Sequence, residues 1–255
     1  MTVLAPLLTA PGPVLVALDF DGTLAPIVPD PTQARALPET AQVLRDLAPK
    51  VGAVVIITGR PALTAVEYGG FADVPNLTVL GQYGLERWSG GELSTPPEHP
   101  GVAEARTKLP LLLAKAPEGV SVEDKGHALA VHTRRAAEPE VALERLRSIL
   151  EALAEKAGLV IEPGRLVLEL RPPGMDKGKA LKAFAAEVGA GAVLVAGDDL
   201  GDLAAFAAAD ELGIPAVKVC SGSDEVAELA KRADVVVDGP AGVVALLREL
   251  CEEIS

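Results

Sequence analysis

Two aspartates separated by a single phenylalanine, Asp19 and Asp21, stand directly behind the apolar run Val14 to Leu18 and are followed by Gly22 and Thr23. A short, wholly apolar run reads as a buried parallel strand, and open α/β sheets collect their ligands beyond the carboxyl ends of such strands. A carboxylate pair in that position suits nucleophilic catalysis on phosphorus. Asp19 would attack to give an acyl phosphate, and Asp21 would protonate the leaving alcohol and then deprotonate the attacking water. The two roles need different surroundings: Asp19 ionised beside a metal, Asp21 able to hold a proton near neutral pH.

Three further segments fit the same chemistry. Thr58-Gly59-Arg60 closes the apolar run Ala53 to Ile57 and offers a hydroxyl and backbone N–H groups to phosphoryl oxygens. Lys177, in Gly174-Met175-Asp176-Lys177-Gly178-Lys179, lies just before a helix, where its ammonium would offset the charge of nucleophile and phosphate; Lys179 falls inside the helix and is expected to point away. Gly197-Asp198-Asp199-Leu200-Gly201-Asp202 gathers three acids behind a third apolar run, Ala192 to Ala196. Crowded acids need a counter-ion, and Mg²⁺ prefers oxygen ligands. Asp19, the backbone carbonyl of Asp21 and an acid from this loop (Asp198, Asp199 or Asp202) would make its site. Capping of a helix from Leu203 accounts for Asp202 equally well.

The elements that must position these residues follow from hydrophobic spacing. Between the first two runs, Pro38 to Ala48 has helical periodicity, giving a right-handed strand, helix, strand unit. Late in the chain, helices over Lys179 to Val188, Leu203 to Ala209 and Asp224 to Lys231 alternate with strands Ala192 to Ala196, Val217 to Val219 and Val235 to Val237. The middle differs. Helix Val102 to Ala116, a hairpin of Gly119 to Glu123 with Ala128 to Thr133, a long amphipathic helix Pro139 to Ala157 and a second hairpin, Leu159 to Ile161 with Leu166 to Arg171, form an αββαββ insert. The fold class expected is therefore α/β: a parallel-sheet, Rossmann-like core (residues 1–101 and 172–255) with helices on both faces, plus a small α+β cap or lid (102–171).

Composition narrows the field. Hydrophobic residues make up 49% of the chain but aromatics only 3%, so aliphatic side chains fill the interior, as in buried parallel sheets. A formal charge of -13 argues against nucleic acid and anionic membranes as partners, although a bound cation and a few lysines or arginines can reverse the field within one cleft. Two cysteines, Cys220 and Cys251, are too few for a disulfide framework or a structural zinc site, and no apolar run approaches the roughly 18 residues of a membrane span. The expectation is a soluble, cytoplasmic monomer or weak homo-oligomer acting on a small molecule.

With these segments in order, the chain resembles the haloacid dehalogenase superfamily of phosphohydrolases. The resemblance implies Asp19 as nucleophile, Asp21 as acid/base, Thr58 and Lys177 as phosphate holders and Asp198 as the metal-binding acid, with Asp199 and Asp202 in support. The position of the insert, between Thr58 and Lys177, is that of sugar-phosphate members with a C2-type cap. Within them the chain is most similar to the trehalose-6-phosphate phosphatases, through LDFDGTLAPI (Leu18 to Ile27), GQYGLE (Gly81 to Glu86), EDKGHALAVHTR (Glu123 to Arg134) and LELRPPGMDKG (Leu168 to Gly178). It departs from them in the acidic loop, where Gly201-Asp202-Leu203-Ala204-Ala205-Phe206 replaces a more acidic continuation, and at Tyr83, where histidine is common.

Strand alternation makes chemical sense of the insert. Leu129 and Val131 share one face, and Ala128, Ala130, His132 and Arg134 the other; Leu166, Leu168 and Leu170 likewise oppose Val167, Glu169 and Arg171. Sugar hydroxyls donate and accept, so Glu86, Glu123, Lys125, His132, Arg134 and Glu169 are apt partners beside Gly59 and Arg60 at the phosphate. The resemblance implies Mg²⁺-dependent hydrolysis of trehalose 6-phosphate. Phosphatases of sucrose phosphate or a glycosyl-glycerate phosphate, a phosphomutase, and a non-catalytic sugar-phosphate sensor are the alternatives.

Overall fold

A computed structural model describes residues 2–164, 166–174, 176–222 and 227–254. Met175 of the lysine segment and residues 224–226 of the helix expected from Asp224 lie outside them. The chain divides into two compact units, one of residues 1–95 with 176–255, the other of residues 96–175.

In the larger unit the order is α1 (Ala5–Leu8), β1 (Val14–Leu18), α2 (Thr40–Leu47), β2 (Ala53–Ile57), α3 (Ala62–Gly69), β3 (Leu77–Gly81), β4 (Glu86–Ser89) and β5 (Glu92–Ser94). The smaller unit follows with α4 (Pro100–Leu112), β6 (Ser121–Asp124), β7 (Leu129–His132), α5 (Pro139–Ala157), β8 (Val160–Gly164) and β9 (Val167–Arg171). The chain then completes the larger unit with α6 (Lys177–Glu187), β10 (Ala192–Gly197), α7 (Leu203–Glu211), β11 (Ala216–Gly222), α8 (Ala227–Arg232), β12 (Val235–Asp238) and α9 (Gly239–Glu253).

Among the described residues the larger unit holds an eight-stranded sheet ordered β12-β11-β10-β1-β2-β3-β4-β5. Pairing is parallel from β12 through β3, and antiparallel from β3 to β4 and β4 to β5. Every residue of β1, β2 and β10 is buried, which explains why these three strands read as unbroken apolar runs. The chain leaves β1 toward β2 and β3, then returns on the other side of β1 as β10. Strand order therefore reverses between β1 and β10, and the crevice beyond their carboxyl ends is the place such sheets bind ligands. Asp19 follows the one strand and Asp198 the other.

The smaller unit packs a four-stranded antiparallel sheet, β6-β7-β9-β8, against α4 and α5. The alternation expected in the hairpins is present: Leu129, Val131, Leu168 and Leu170 are buried with Val102, Leu109, Leu146, Leu150 and Leu153 of the helices. Ala130 pairs with Glu169 on the opposite face. The fold class expected from the residues is thus the one observed.

Several elements differ from expectation. The strands β3, β4 and β5 and the helices α3 and α9 were not anticipated; the antiparallel edge β4–β5 is too short and too polar to announce itself by periodicity. Helix α4 stops at Leu112 rather than Ala116, two residues past Pro110, whose nitrogen has no hydrogen to donate to the preceding turn. Helix α6 starts two residues earlier than its apolar spacing suggests, because the Asp176 carboxylate accepts from the Lys179 N–H at 2.8 Å and caps it. The early start puts Lys177 in the first helical turn and leaves the Lys179 side chain 60% exposed.

Candidate active site

Beyond β1 the chain turns sharply: Leu24 and Ala25 donate backbone bonds to the Phe20 carbonyl, and Gly22 donates to that of Ala25. Gly22 has φ +76°, and a Cβ there would lie 1.9 Å from Oδ2 of Asp198. Glycine is required twice over, for the backbone and to let the two acidic loops meet. Ser221, at the carboxyl end of β11, donates its hydroxyl to the Gly22 carbonyl at 2.6 Å and locks the turn from the far side.

Asp19 is 6% exposed. Its Oδ1 accepts from Lys177 Nζ at 2.7 Å, and the Thr23 hydroxyl lies 3.5 Å from its Oδ2. The same ammonium donates to Oδ1 of Asp202 at 2.7 Å. Oδ2 of Asp202 takes the backbone N–H groups of Asp198 and Asp199, at 3.0 and 3.2 Å. Asp202 thus ties Lys177 to the loop that carries Asp198; its side chain does not cap the helix from Leu203, as expected, but closes a capping box with Asp199 around the short turn before it.

The electrostatics reflect this crowding. Burial, reinforced by Asp202, Asp198 and Asp199, pushes the Asp19 carboxyl well above the usual range despite Lys177. Burial and the neighbouring Asp202 and Asp199 raise Asp198 to about 8, and burial raises Asp202 also. Burial alone would lower the Lys177 ammonium, but Asp19, Asp202 and Asp199 overcome it and hold the group well above its ordinary value. One lysine does not neutralise such a set. Asp19, Asp198 and Asp202 each present a carboxylate oxygen, all within 4.8 Å of one another, and this buried acidic triad fits a divalent cation.

Thr58 is buried at the end of β2, its hydroxyl accepting from the Arg60 N–H at 3.1 Å. The next turn is strapped to it: the Gln82 N–H donates to the Arg60 carbonyl and the Tyr83 N–H to that of Thr58. Gln82 and Tyr83 both have positive φ, 48° and 61°. The Tyr83 hydroxyl consequently hangs over Gly59, 2.8 Å from where a Cβ would be.

Three residues expected at substrate or metal are engaged elsewhere. Arg60 forks onto Asp21, Nε to Oδ2 at 2.7 Å and Nη2 to Oδ1 at 2.6 Å. Glu86 is buried, one oxygen accepting from the Ala62 N–H at the start of α3 and the other from the Gln82 amide, both at 2.6 Å. It is a helix cap and turn fastener, because an N-terminus buried beside a carboxylate is satisfied by it. Asp199 is exposed and accepts from the Gly201 N–H, opening the short turn that ends in Asp202.

In the smaller unit the polar sheet face brings four of the expected residues into two pairs. Lys125 Nζ meets Oε2 of the buried Glu169 at 2.5 Å, and His132 Nε2 meets Glu123 at 2.8 Å. The other Glu169 oxygen is buried without a hydrogen-bond partner among the described residues. Arg134 falls in the turn beyond β7 rather than on the sheet. Ser221 and Gln82 were given no role from the sequence; the strand before Ser221 is broken by Lys218, so no unbroken apolar run announces it as one does Asp19 and Thr58.

The trehalose-phosphatase family model matches residues 17–238. The chain is 32% identical over 213 residues to the trehalose-6-phosphate phosphatase of Escherichia coli, covering 81% of this chain and 77% of that one. It is 30% identical to the trehalose-phosphate phosphatase of Mycobacterium leprae, spanning 94% of this chain but only 58% of that longer protein. Among solved structures, the C-terminal domain of the Candida albicans trehalose-6-phosphate phosphatase superposes with a TM-score of 0.80 at 21% identity, over 98% of this chain and 95% of that one. A haloacid dehalogenase-like hydrolase of Bacteroides thetaiotaomicron shares the fold, at a TM-score of 0.68 and 16% identity over 94% of this chain and 100% of that one. No helix among the described residues is long and apolar enough to cross a membrane.

Proposed function

Because the chain belongs to the trehalose-phosphatase family, whose model spans most of it, we propose that it hydrolyses trehalose 6-phosphate to trehalose and phosphate through an aspartyl phosphate on Asp19. The observation that carries the chemistry is the buried contact of Lys177 with both Asp19 and Asp202 at the strand-order reversal.

Asp19 attacks phosphorus as the P–O bond to the sugar breaks, and Asp21 gives its proton to the departing C6 oxygen. A water then attacks the acyl phosphate, loses a proton to Asp21, and releases Asp19 as the carboxylate. Lys177 offsets charge on nucleophile and phosphoryl group, while the Thr58 hydroxyl, which accepts from the Arg60 N–H and keeps its own hydrogen to give, and the backbone N–H of Gly59 are apt donors to phosphoryl oxygens. Asp19, Asp198 and the backbone carbonyl of Asp21 would hold Mg²⁺, with Asp202 and Asp199 shaping the loop. When bound, the ion supplies positive charge that ionises these acids and draws phosphoryl oxygens into line.

We assign sugar recognition to the polar face of the smaller unit, through Glu123, Lys125, His132 and Glu169, with Arg134 nearby in sequence. The buried, unpartnered oxygen of Glu169 supports this reading, since it can accept from a sugar hydroxyl and would be left unsatisfied by a substrate lacking one. We further place the enzyme in the cytoplasm, where its two free cysteines stay reduced.

The test is phosphate release with Mg²⁺ over a panel of sugar phosphates, with Asp19→Asn as the blank. Preference for trehalose 6-phosphate, abolished in the variant, is the expected result. Preference for another sugar phosphate would overturn the substrate; isomerised sugar phosphate without free phosphate would make the protein a mutase.

A further inference from the structure

We propose that Arg60 is a positioning residue for Asp21, acting on proton transfer and not on the phosphoryl group. The inference rests on the reading of Asp21 as the acid/base. Three observations carry it. Both oxygens of Asp21 accept from the Arg60 guanidinium in a two-bond fork, at 2.7 and 2.6 Å. The guanidinium is itself fixed: Nη2 also donates to the Pro31 carbonyl at 3.0 Å, and the group lies 5.5 Å from the Phe20 ring centre and 5.3 Å from that of Tyr68. Tyr68 is in turn covered by Arg35 on its ring at 3.6 Å, and Phe20 is set edge-on against the buried Phe71. A side chain that is only 14% exposed and held by a carbonyl and two rings is built to stay in place.

A cation meant for the phosphoryl group would aim its donors at open space beside Asp19. The Arg60 fork instead closes on the neighbouring carboxylate, and Lys177 is the cation that touches Asp19. Planarity matters, because two parallel N–H bonds fix the rotation of the carboxylate as well as its place, which a single ammonium does not.

The experiment compares Arg60→Met with the unaltered enzyme on two leaving groups, in rapid-mixing assays with Mg²⁺. An alkyl phosphate needs a proton on its departing oxygen, whereas p-nitrophenyl phosphate does not. The expected result is a loss on the order of 10²-fold or more in kcat on the sugar phosphate with little change in KM. With the aryl ester, the burst of one p-nitrophenolate per site keeps its rate, and only the later, base-assisted step slows. In an Asp21→Asn background, Arg60→Met should add no further loss. A slowed burst, a raised KM for both esters, or losses that multiply in the double variant would assign Arg60 to the phosphoryl group and overturn the proposal. Should Arg60→Met not fold, Arg60→Lys keeps a cation on the rings but offers no fork, and the same split applies to it. Whichever sugar phosphate the unaltered enzyme accepts serves as the alkyl ester, so a failure of the trehalose assignment is seen separately, in the panel.

Discussion

Lys177 touches two buried carboxylates, and its replacement by methionine would leave them facing each other without a cation. Removing one partner of a buried ion pair typically costs about 3–5 kcal/mol. We expect Lys177→Met to shift the urea midpoint accordingly and to abolish turnover, with Mg²⁺ recovering part of the stability. Gly22→Ala makes a sharper test of the site's geometry. Its methyl would sit 1.9 Å from Asp198, in a backbone conformation that alanine resists, so the variant should bind Mg²⁺ at least tenfold more weakly by calorimetric titration. Unchanged affinity would mean that Asp198 can move without consequence. Asp19, Asp21, Thr58, Lys177 and Asp198 were legible as candidates for chemistry because each follows an apolar run or precedes a helix, where polarity has no packing explanation. What single residues do to one another was not legible: that Arg60 closes on Asp21, or that Asp202 is held by Lys177, depends on contacts across 39 and 25 residues of chain.

At the scale of elements, the segment joining β3 to β4 behaves as a buckle. Gln82 and Tyr83 adopt left-handed conformations that cost of order 1–3 kcal/mol each, and Glu86 holds them by bonding Gln82 and the start of α3 together. Glu86→Ala should lower stability by about 1–2 kcal/mol, through loss of the cap and of the buried pair, and reduce kcat by loosening the turn over Gly59. KM for the sugar phosphate should hold; a large rise in KM with unchanged melting temperature would return Glu86 to the sugar. This buckle escaped the sequence reading because its strands are short and mixed in polarity, and its key acid sits in a segment whose likeness to sugar phosphatases suggested a different use. Strands β1, β2 and β10 and helix α5 were read correctly for the opposite reason. Their burial is uniform or confined to one stripe, and periodicity reports just that.

For the whole molecule, the acidic triad couples stability to pH. Burial and mutual repulsion raise the carboxyl groups of Asp19, Asp198 and Asp202 in the folded state, so folding takes up protons. That contribution is complete below the unfolded carboxylate range near pH 4 and is lost as pH rises toward about 8, the value for Asp198. Chelator-treated protein should therefore melt at falling temperature across this interval, and Mg²⁺ should flatten the slope; a flat profile without metal would count against the triad as described.

The larger unit is assembled from two stretches of chain with the smaller unit between them, and this bears on how the protein is made. During synthesis β1 and β2 emerge first, but the other flank of β1 waits for β10, which at roughly 5–20 residues per second leaves the ribosome about ten to thirty seconds later. Through that interval the nascent chain carries an apolar, unpaired strand edge, the kind that chaperones shield. Asp19 is present in it, yet neither Lys177 nor Asp198 has been made. The enzyme thus gains its chemistry only when the last third of the chain docks, and a ribosome that stalls within the smaller unit would leave behind an inert, adhesive fragment.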